Sequence, residues 1–198
     1  MMYNDEELKK IQFTNIIKML NARQKINNND NLDNIMEDLY RNYNNVEETT
    51  NININGKKIY IKFIYMTLMT IKNKSSSIRN FLEKEGKKIL LVNDVKPTAI
   101  KQILQFDDVE VFNMTFFNIN LIDNVLVPKH IRLNEEEKNK VIKEYTDNIQ
   151  QFKVLCIDDP VSKYYNYKVG DLVRIERPSV ATGISTDYRV VSNILMQI

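Results

Sequence analysis

The side chains that could perform chemistry are few and widely spaced in this sequence. His130 could act as a general base, but no serine, cysteine or carboxylate stands beside it in the chain, so a hydrogen-bonded interdomain histidine is the favoured interpretation. Cys156 lies in an apolar run, which predicts a buried and unreactive thiol. Asp158-Asp159 could suggest a metal site, but an Asp159 directly before Pro160 is explained by helix capping. We therefore predict no catalytic residue.

The composition gives no support for metal or cofactor chemistry. One cysteine and one histidine in 198 residues cannot build a structural zinc site, which takes about four N or S ligands. A net charge of +2 and a pI near 8.4 fall short of a dedicated nucleic-acid binder, for which a pI above about 9 is typical. No apolar run approaches the ~18 residues of a membrane span, and the acidic start Met1–Glu7 does not resemble a secretory signal. We expect an intracellular protein without a metal or a cofactor.

Helices and strands alternate in the first part of the chain, which predicts an α/β domain over residues 1–125. The run Ile89–Val92 predicts a central strand covered on both faces, and Pro97 suits the first turn of a helix. Residues 44–58 are polar, with a turn at Gly56-Lys57. The other predicted elements are helices at 5–24, 32–43 and 78–85, strands at 59–65 and 109–112, and a further element at 115–121.

Pro128 marks the start of a second, smaller α+β domain, which we assign to residues 126–198. Asn134 with Glu137 predicts a capping box at the start of a helix that runs to about Tyr145. A short helix should begin at Pro160 and close at Asn166 in the left-handed conformation. Strands are predicted at 152–157, 172–177 and 188–194, with turns at Gly170 and Gly183.

Several short motifs of this second region occur together and in order. They are Leu126–Leu133, Asp159-Pro160-Val161, Lys168-Val169-Gly170, Val173–Arg177 and Tyr188-Arg189-Val190. In this combination the region resembles the assembly domain of the fifth common subunit of eukaryotic nuclear RNA polymerases, a family that also has archaeal members. Each motif alone is unspecific, and it is their shared order that carries the resemblance.

The first region resembles the jaw domain of the same family less closely. The resemblance lies in Met19-Leu20 with Arg23 and in Lys96–Ala99. It implies a restriction-endonuclease-like fold and the two-domain form of eukaryotes and viruses. The chain departs from the family at Asn166, Val169, Val180 and Ile184-Ser185, where glycine or charged residues are common. These departures and the heavy use of Asn, Ile and Lys favour a subunit from a large DNA virus.

The resemblance implies a non-catalytic core subunit of a multisubunit DNA-dependent RNA polymerase. Its C-terminal domain would dock on the largest subunit, beside small subunits, and its N-terminal domain would form part of the lower jaw near downstream DNA. It would work in a host nucleus, or in a viral factory and the virion. Two alternatives stay open: a free-standing polymerase-associated regulatory factor, or a divalent-metal nuclease built on Glu85-Gly86-Lys87. Gly86 disfavours the nuclease because it resembles a helix end.

The candidate contact residues fall into two groups. Strand alternation places Arg174 and Glu176 on one face and Ile175 and Arg177 on the other, so that one face can pack on the domain and the other can meet the largest subunit. The predicted partner-binding residues are Pro128, His130, Asp159, Pro160, Lys163, Tyr164, Gly170, Arg174, Arg177, Ser179, Gly183, Tyr188 and Arg189. The predicted DNA-proximal residues are Lys57, Lys58, Lys72, Lys74 and Arg79, with Lys87 and Lys88, whose phosphate contacts would be salt-dependent and independent of base sequence.

Overall fold

A computed structural model describes residues 5–23, 32–54, 56–71, 76–146 and 148–193. The chain forms two compact units, Met1–Asn120 and Leu121–Ile198. The sequence suggested a boundary five residues later, between residues 125 and 126. Both units combine helices with one sheet, so the mixed α+β class is confirmed. Among the described residues, no helix is long and apolar enough to cross a membrane.

The first unit is built on a four-stranded sheet in the order β1-β2-β3-β4. The strands are β1 (Thr49–Ile54), β2 (Lys57–Leu68), β3 (Lys87–Val95) and β4 (Val109–Asn113). β1 is antiparallel to β2, and β2, β3 and β4 are parallel. Ile89–Val92 is buried at every position, as expected for a central strand covered on both faces.

Strand β1 lies in the segment that the sequence suggested was only polar. Ile52 and Ile54 alternate with Asn51 and Asn53, and the two isoleucines are 1% and 4% exposed. Asparagine is depleted in strands, so the many asparagines of this segment argued against a strand. The alternation of polar and apolar residues that is typical of an edge strand was therefore overlooked. The turn into β2 uses Gly56 at φ +75.

The described residues of the first unit form the helices α1 (Asp5–Ala22), α2 (Leu32–Arg41), α3 (Ser77–Leu82) and α4 (Pro97–Ile103). Ser76 caps α3, which ends three residues before the predicted Glu85. Gly86 therefore serves the turn into β3 and does not end the helix. It has φ +111, and a Cβ there would lie 2.9 Å from the Lys58 carbonyl oxygen. The element predicted at 115–121 consists of short 3-10 turns, Met114–Phe117 and Leu121–Asp123.

A buried ion cluster ties α1 to the sheet of the first unit. The Arg23 guanidinium, 2% exposed, donates to both carboxylate oxygens of Glu110 at 3.1 and 2.8 Å, and Lys87 pairs with the same carboxylate. Burial alone would raise the pKa of Glu110. The two cations outweigh that effect and hold its pKa below the usual range. The cluster joins the end of α1 to the first residues of β3 and β4.

The second unit has a sheet in the order β5-β7-β8-β6. Its elements are β5 (Lys129–Arg132), α5 (Glu135–Tyr145), β6 (Lys153–Cys156), α6 (Pro160–Tyr165), β7 (Leu172–Ser179) and β8 (Gly183–Ser192), with a 3-10 turn at Ile149–Gln151. β6 is parallel to β8, and the other pairs are antiparallel. The capping box is confirmed, because Asn134 Oδ1 accepts from the Glu137 amide at 2.8 Å and Glu137 Oε2 accepts from the Asn134 amide at 3.0 Å.

Apolar side chains are buried on both faces of this sheet. On one face Leu172 and Val190 pack with Val141 of α5 and with Leu133. On the other face Val173, Ile175 and Val191 pack with Leu155 and Tyr167. The cysteine of β6 is half-buried, less enclosed than the buried thiol that the sequence suggested, because β6 is an edge strand.

Helix α6 begins and ends as the sequence predicts. The Asp159 carboxylate accepts from the Val161 amide at 2.8 Å, and Asn166 closes the helix at φ 54 and ψ 47. Asn166 Oδ1 also accepts from Lys168 Nζ at 3.0 Å. Asparagine is one of the few residues that tolerate this left-handed conformation without the freedom of glycine.

We expect Asn166→Ala to lower the free energy of unfolding by about 1 kcal/mol. The left-handed backbone conformation is unfavourable for alanine, whereas the polar side chain of asparagine partly offsets this cost. Asn166→Gly should change it by less than about 0.5 kcal/mol, since glycine removes the strain while losing the Lys168 contact. Urea unfolding of the full chain measures both. Equal losses for alanine and glycine would show that the lost side-chain contact, and not the backbone conformation, sets the cost.

Candidate partner and DNA interfaces

The end of the β7–β8 ribbon is an exposed feature of the second unit. β5 pairs only with residues 173–176 of β7, and β6 pairs only with residues 189–192 of β8. Residues 177–186, which we call the ribbon tip, are therefore flanked by no strand in the described part of the chain. Val180 is fully exposed and Ile184 is 62% exposed. Three predicted partner-binding residues, Arg177, Ser179 and Gly183, lie in this tip.

The tip is uncharged apart from Arg177 at its start, in a chain with 27% charged residues. Pro178 lies opposite Ile184 and forms an apolar cross-strand pair. The Leu133 amide donates to the Leu172 carbonyl, so even-numbered residues of β7 direct their amide groups towards β5. Pro178 therefore removes an amide donor from that edge beyond the end of β5, which discourages strand addition there.

The remaining predicted residues of β7 and β8 are divided between the two faces of the sheet. On one face Arg174 lies opposite Tyr188, and Arg174 Nε is 3.1 Å from Glu176 Oε1. On the other face Ile175 is buried. It pairs with His130 of β5 on one side and with Asp187 of β8 on the other. The expectation that one face packs on the domain while the other is free for a partner is therefore wrong for the base of the ribbon. Both faces are covered, because α5 and the α6 region pack on opposite sides.

His130 is half-buried at the edge of this sheet. Its Nδ1 is 2.7 Å from the Pro128 carbonyl oxygen, which can only accept, so Nδ1 carries the proton. Burial lowers the pKa of His130, and Arg177 and Arg189 add to this lowering, while the Pro128 carbonyl and the Asp159 carboxylate oppose it. His130 is thus a hydrogen-bonded, neutral histidine near pH 7, held within its own unit.

The predicted residues of α6 have different positions. Lys163 is exposed and its Nζ is 3.0 Å from an oxygen of Asp158. Pro160 is also exposed and starts the helix. Tyr164 is only 3% exposed, so its assignment as a partner-binding side chain is wrong. Its ring packs edge-on against Tyr165, as a core aromatic of a helix that covers the sheet. Gly170 lies in the turn into β7 at φ +91 and donates to the Val191 carbonyl.

Of the predicted DNA-proximal residues, Lys57 and Lys58 are exposed at the start of β2. Arg79 Nε is 2.9 Å from Glu83 on the same helix, so part of its charge is already compensated. Lys72 and Lys74 lie outside the described residues. The further candidates Lys87 and Lys88 have internal roles. Lys87 pairs with Glu110, and Lys88 is 5% exposed and donates to the Lys84 carbonyl at 2.8 Å.

The candidate nuclease motif does not form a metal-binding arrangement. Glu85 is exposed in the turn after α3, whereas Lys87 is committed to the Glu110 carboxylate. Across the described ranges, no group of three or more His, Cys, Asp or Glu side chains could hold a metal ion. The geometry therefore offers no observation in favour of metal-dependent cleavage.

Comparisons with known proteins extend over almost the whole chain. Residues 119–191 match the family described as "RNA polymerase Rpb5, C-terminal domain". The DNA-directed RNA polymerase subunit 5 of Acanthamoeba polyphaga mimivirus is 31% identical over 196 residues, which cover 96% of this chain and 95% of the relative. A DNA-directed RNA polymerases I, II, and III subunit of Dictyostelium discoideum is 32% identical over 107 residues, covering 52% of this chain and 54% of that protein. The subunit Rpo5 of Methanocaldococcus jannaschii is 40% identical over 73 residues, which are 37% of this chain but 94% of the archaeal protein.

Proposed function

Because the chain belongs to the subunit 5 family of DNA-directed RNA polymerases, we propose that its second unit docks on the largest subunit of such an enzyme. The chain is a non-catalytic core subunit of a DNA-directed RNA polymerase. Its first unit forms part of the lower jaw near downstream DNA. Neighbouring small subunits of the polymerase are further partners of the chain. The observation that carries this proposal is the similarity to the mimivirus subunit, which spans 95% of that protein.

The second unit is the part on which docking should depend. The match to the family's C-terminal domain, over residues 119–191, covers most of this unit, so this is the part we expect to hold the polymerase. The ribbon tip supports the same assignment. It is exposed, nearly uncharged and free of flanking strands among the described residues, which are the properties of a surface that a partner covers.

The first unit would contact DNA only weakly. Lys57 and Lys58 are the exposed candidates among the described residues, and two lysines supply a small, salt-dependent and sequence-independent attraction to phosphates. A weak contact suits duplex DNA that must move past the jaw during transcription. The similarity to a restriction-endonuclease fold stays a prediction from the family resemblance. The viral and eukaryotic relatives are consistent with work in a viral factory or a nucleus.

The proposal predicts stoichiometric recovery of the tagged chain with its polymerase. Affinity purification from the native source, washed at high salt, should yield one copy of the chain per largest subunit, as read by quantitative mass spectrometry. A core subunit stays bound to the enzyme in high salt when its interface is largely apolar, because salt screens charge–charge attraction but does not weaken apolar contacts. Recovery below one copy, or loss of the chain in the salt wash, would instead support the free-standing regulatory factor.

A charge-reversal variant tests the ribbon tip in the same purification. Arg177→Glu should lower recovery of the largest subunit even in high salt, because the covered tip would then bury a carboxylate at its first residue in place of the exposed arginine. Lys140→Glu makes the same charge change on an exposed residue of α5 and should leave recovery unchanged. Equal recovery with both variants would argue against docking through the tip, and circular dichroism of the free chains checks that both remain folded.

A further inference from the structure

The first unit contains a polar cavity that neither polymerase assembly nor the proposed DNA contact requires. It has a volume of about 270 Å³, is partly open to solvent and lies between the start of β1, the middle of β2 and helix α3. The residues that supply its polar lining are Glu47, Thr49, Lys62, Ser77, Asn80 and Lys84. Five of these six side chains can donate hydrogen bonds, and two of them are cationic. Such a lining is suited to an anion.

Lys62 is the central group of this cavity. It is 5% exposed, and its Nζ donates to the Glu47 carbonyl at 2.7 Å and to Ser77 Oγ at 3.0 Å. A lysine ammonium has three N–H donors, so these two bonds leave one donor for a ligand in the cavity. Burial lowers the pKa of Lys62, Lys84 lowers it further, and the carboxylates of Glu47 and Glu48 oppose this lowering. An anion in the cavity would favour the charged ammonium.

The other donors surround Lys62. Ser77 Oγ accepts from Lys62 Nζ, so its own hydroxyl proton can be directed into the cavity. Asn80 is exposed on the same helix α3, one turn after Ser77, and its amide adds further donors. The ammonium of Lys84 lies 5.2 Å from the centre of the Tyr60 ring, and this cation–π contact holds it beside the cavity. Two lysines against one glutamate give the lining a formal charge of +1.

We propose that this cavity binds a phosphate group. Phosphate oxygens accept several hydrogen bonds at once and carry the charge that two converging ammonium groups and neutral donors recognise. Glu47 contributes a carboxylate to the same lining, and both lysines are needed to outweigh it. The phosphate can belong to a free ion or nucleotide, or to the backbone of a nucleic acid, since both present the same oxygens.

The test is an NMR titration of the full-length chain with inorganic phosphate, against chloride at matched ionic strength. Saturable shifts of the Ser77, Asn80 and Lys84 amides are expected. Asn80→Asp adds a carboxylate to the lining at nearly constant size and should weaken binding about tenfold or more. Asn53→Asp makes the same change on an exposed residue of β1 outside the cavity and should have no effect.

A second pair of variants separates loss of binding from loss of folding. Lys84→Gln removes an exposed ammonium of the lining and should weaken binding, whereas Lys101→Gln removes an exposed lysine of α4 outside the cavity and should not. A short DNA duplex that displaces phosphate from the wild-type cavity would identify the backbone as the source, and no displacement would identify a free phosphate. Shifts that do not saturate, or that are unchanged in both Asn80→Asp and Lys84→Gln, would overturn the proposal.

Discussion

Replacing Glu110 with glutamine is expected to lower the stability of the first unit by about 3–5 kcal/mol, the cost typical of removing one partner from a buried ion pair. Glu110 accepts from Arg23 and pairs with Lys87, and both cations are largely buried. Glutamine keeps the size of the side chain but removes the charge. The two cations then lose the carboxylate that compensates their desolvation. Urea unfolding of the variant and the wild type measures the difference.

The pH dependence of this effect has a definite sign. The pKa of Glu110 is lowered in the folded state, so its contribution is fully present above the unfolded value of about 4.3. It is lost as the pH falls through the folded pKa, because protonation removes the charge that both cations need. The stability gap between wild type and Glu110→Gln should therefore be constant near neutral pH and shrink in acid. A gap that stays constant to the lowest pH would show that shape, and not charge, sets the cost.

A surface ion pair of the same unit provides the matched control. Glu83→Gln removes the partner of Arg79 on helix α3, where the two side chains are 53% and 35% exposed. Exposed pairs at this helical spacing contribute about 0.3–0.5 kcal/mol. We expect a loss within that range and a clear dependence on salt. If Glu83→Gln lowered the stability as much as Glu110→Gln, burial would not be the reason for the large effect at Glu110.

Residues 121–198 expressed alone are expected to fold and to remain with the polymerase, whereas residues 1–120 alone should not be recovered with it. The second unit has its own sheet, with apolar clusters on both faces, and residues 119–191 match the family's C-terminal domain. A unit with a separate core does not need the other for stability. This is the largest effect we predict, since the two truncations should give opposite results.

The measurement is the high-salt purification applied to both truncated chains, with circular dichroism to establish that each is folded. A full-length chain with the same tag is the reference. Loss of a folded 121–198 chain in the salt wash would contradict docking through the second unit. Recovery of the 1–120 chain would indicate that the first unit also holds the enzyme strongly.

The sequence alone determined the local structure of the second unit. Asn134 with Glu137, Asp159 with Pro160, and Asn166 define helix ends through contacts within a few residues, so their chemistry is visible in the chain. The family resemblance rested on several motifs in a shared order, and the match of residues 119–191 to the family's C-terminal domain confirms it. The buried strand Ile89–Val92 was equally predictable, since a continuous apolar run of that length is typical of a central strand.

Only the tertiary structure decided which charged and aromatic residues are available to partners. Lys87 and Lys88 looked like surface lysines, yet Glu110 and the Lys84 carbonyl hold them inside the first unit. Tyr164 was a predicted partner-binding residue, yet its side chain is buried. In the sequence Lys62 is one polar residue of a predicted strand. The cavity that it lines is formed by residues of β1, β2 and α3, which are far apart in the chain. Contacts between residues far apart in the chain determine burial and charge compensation, and no local pattern contains that information.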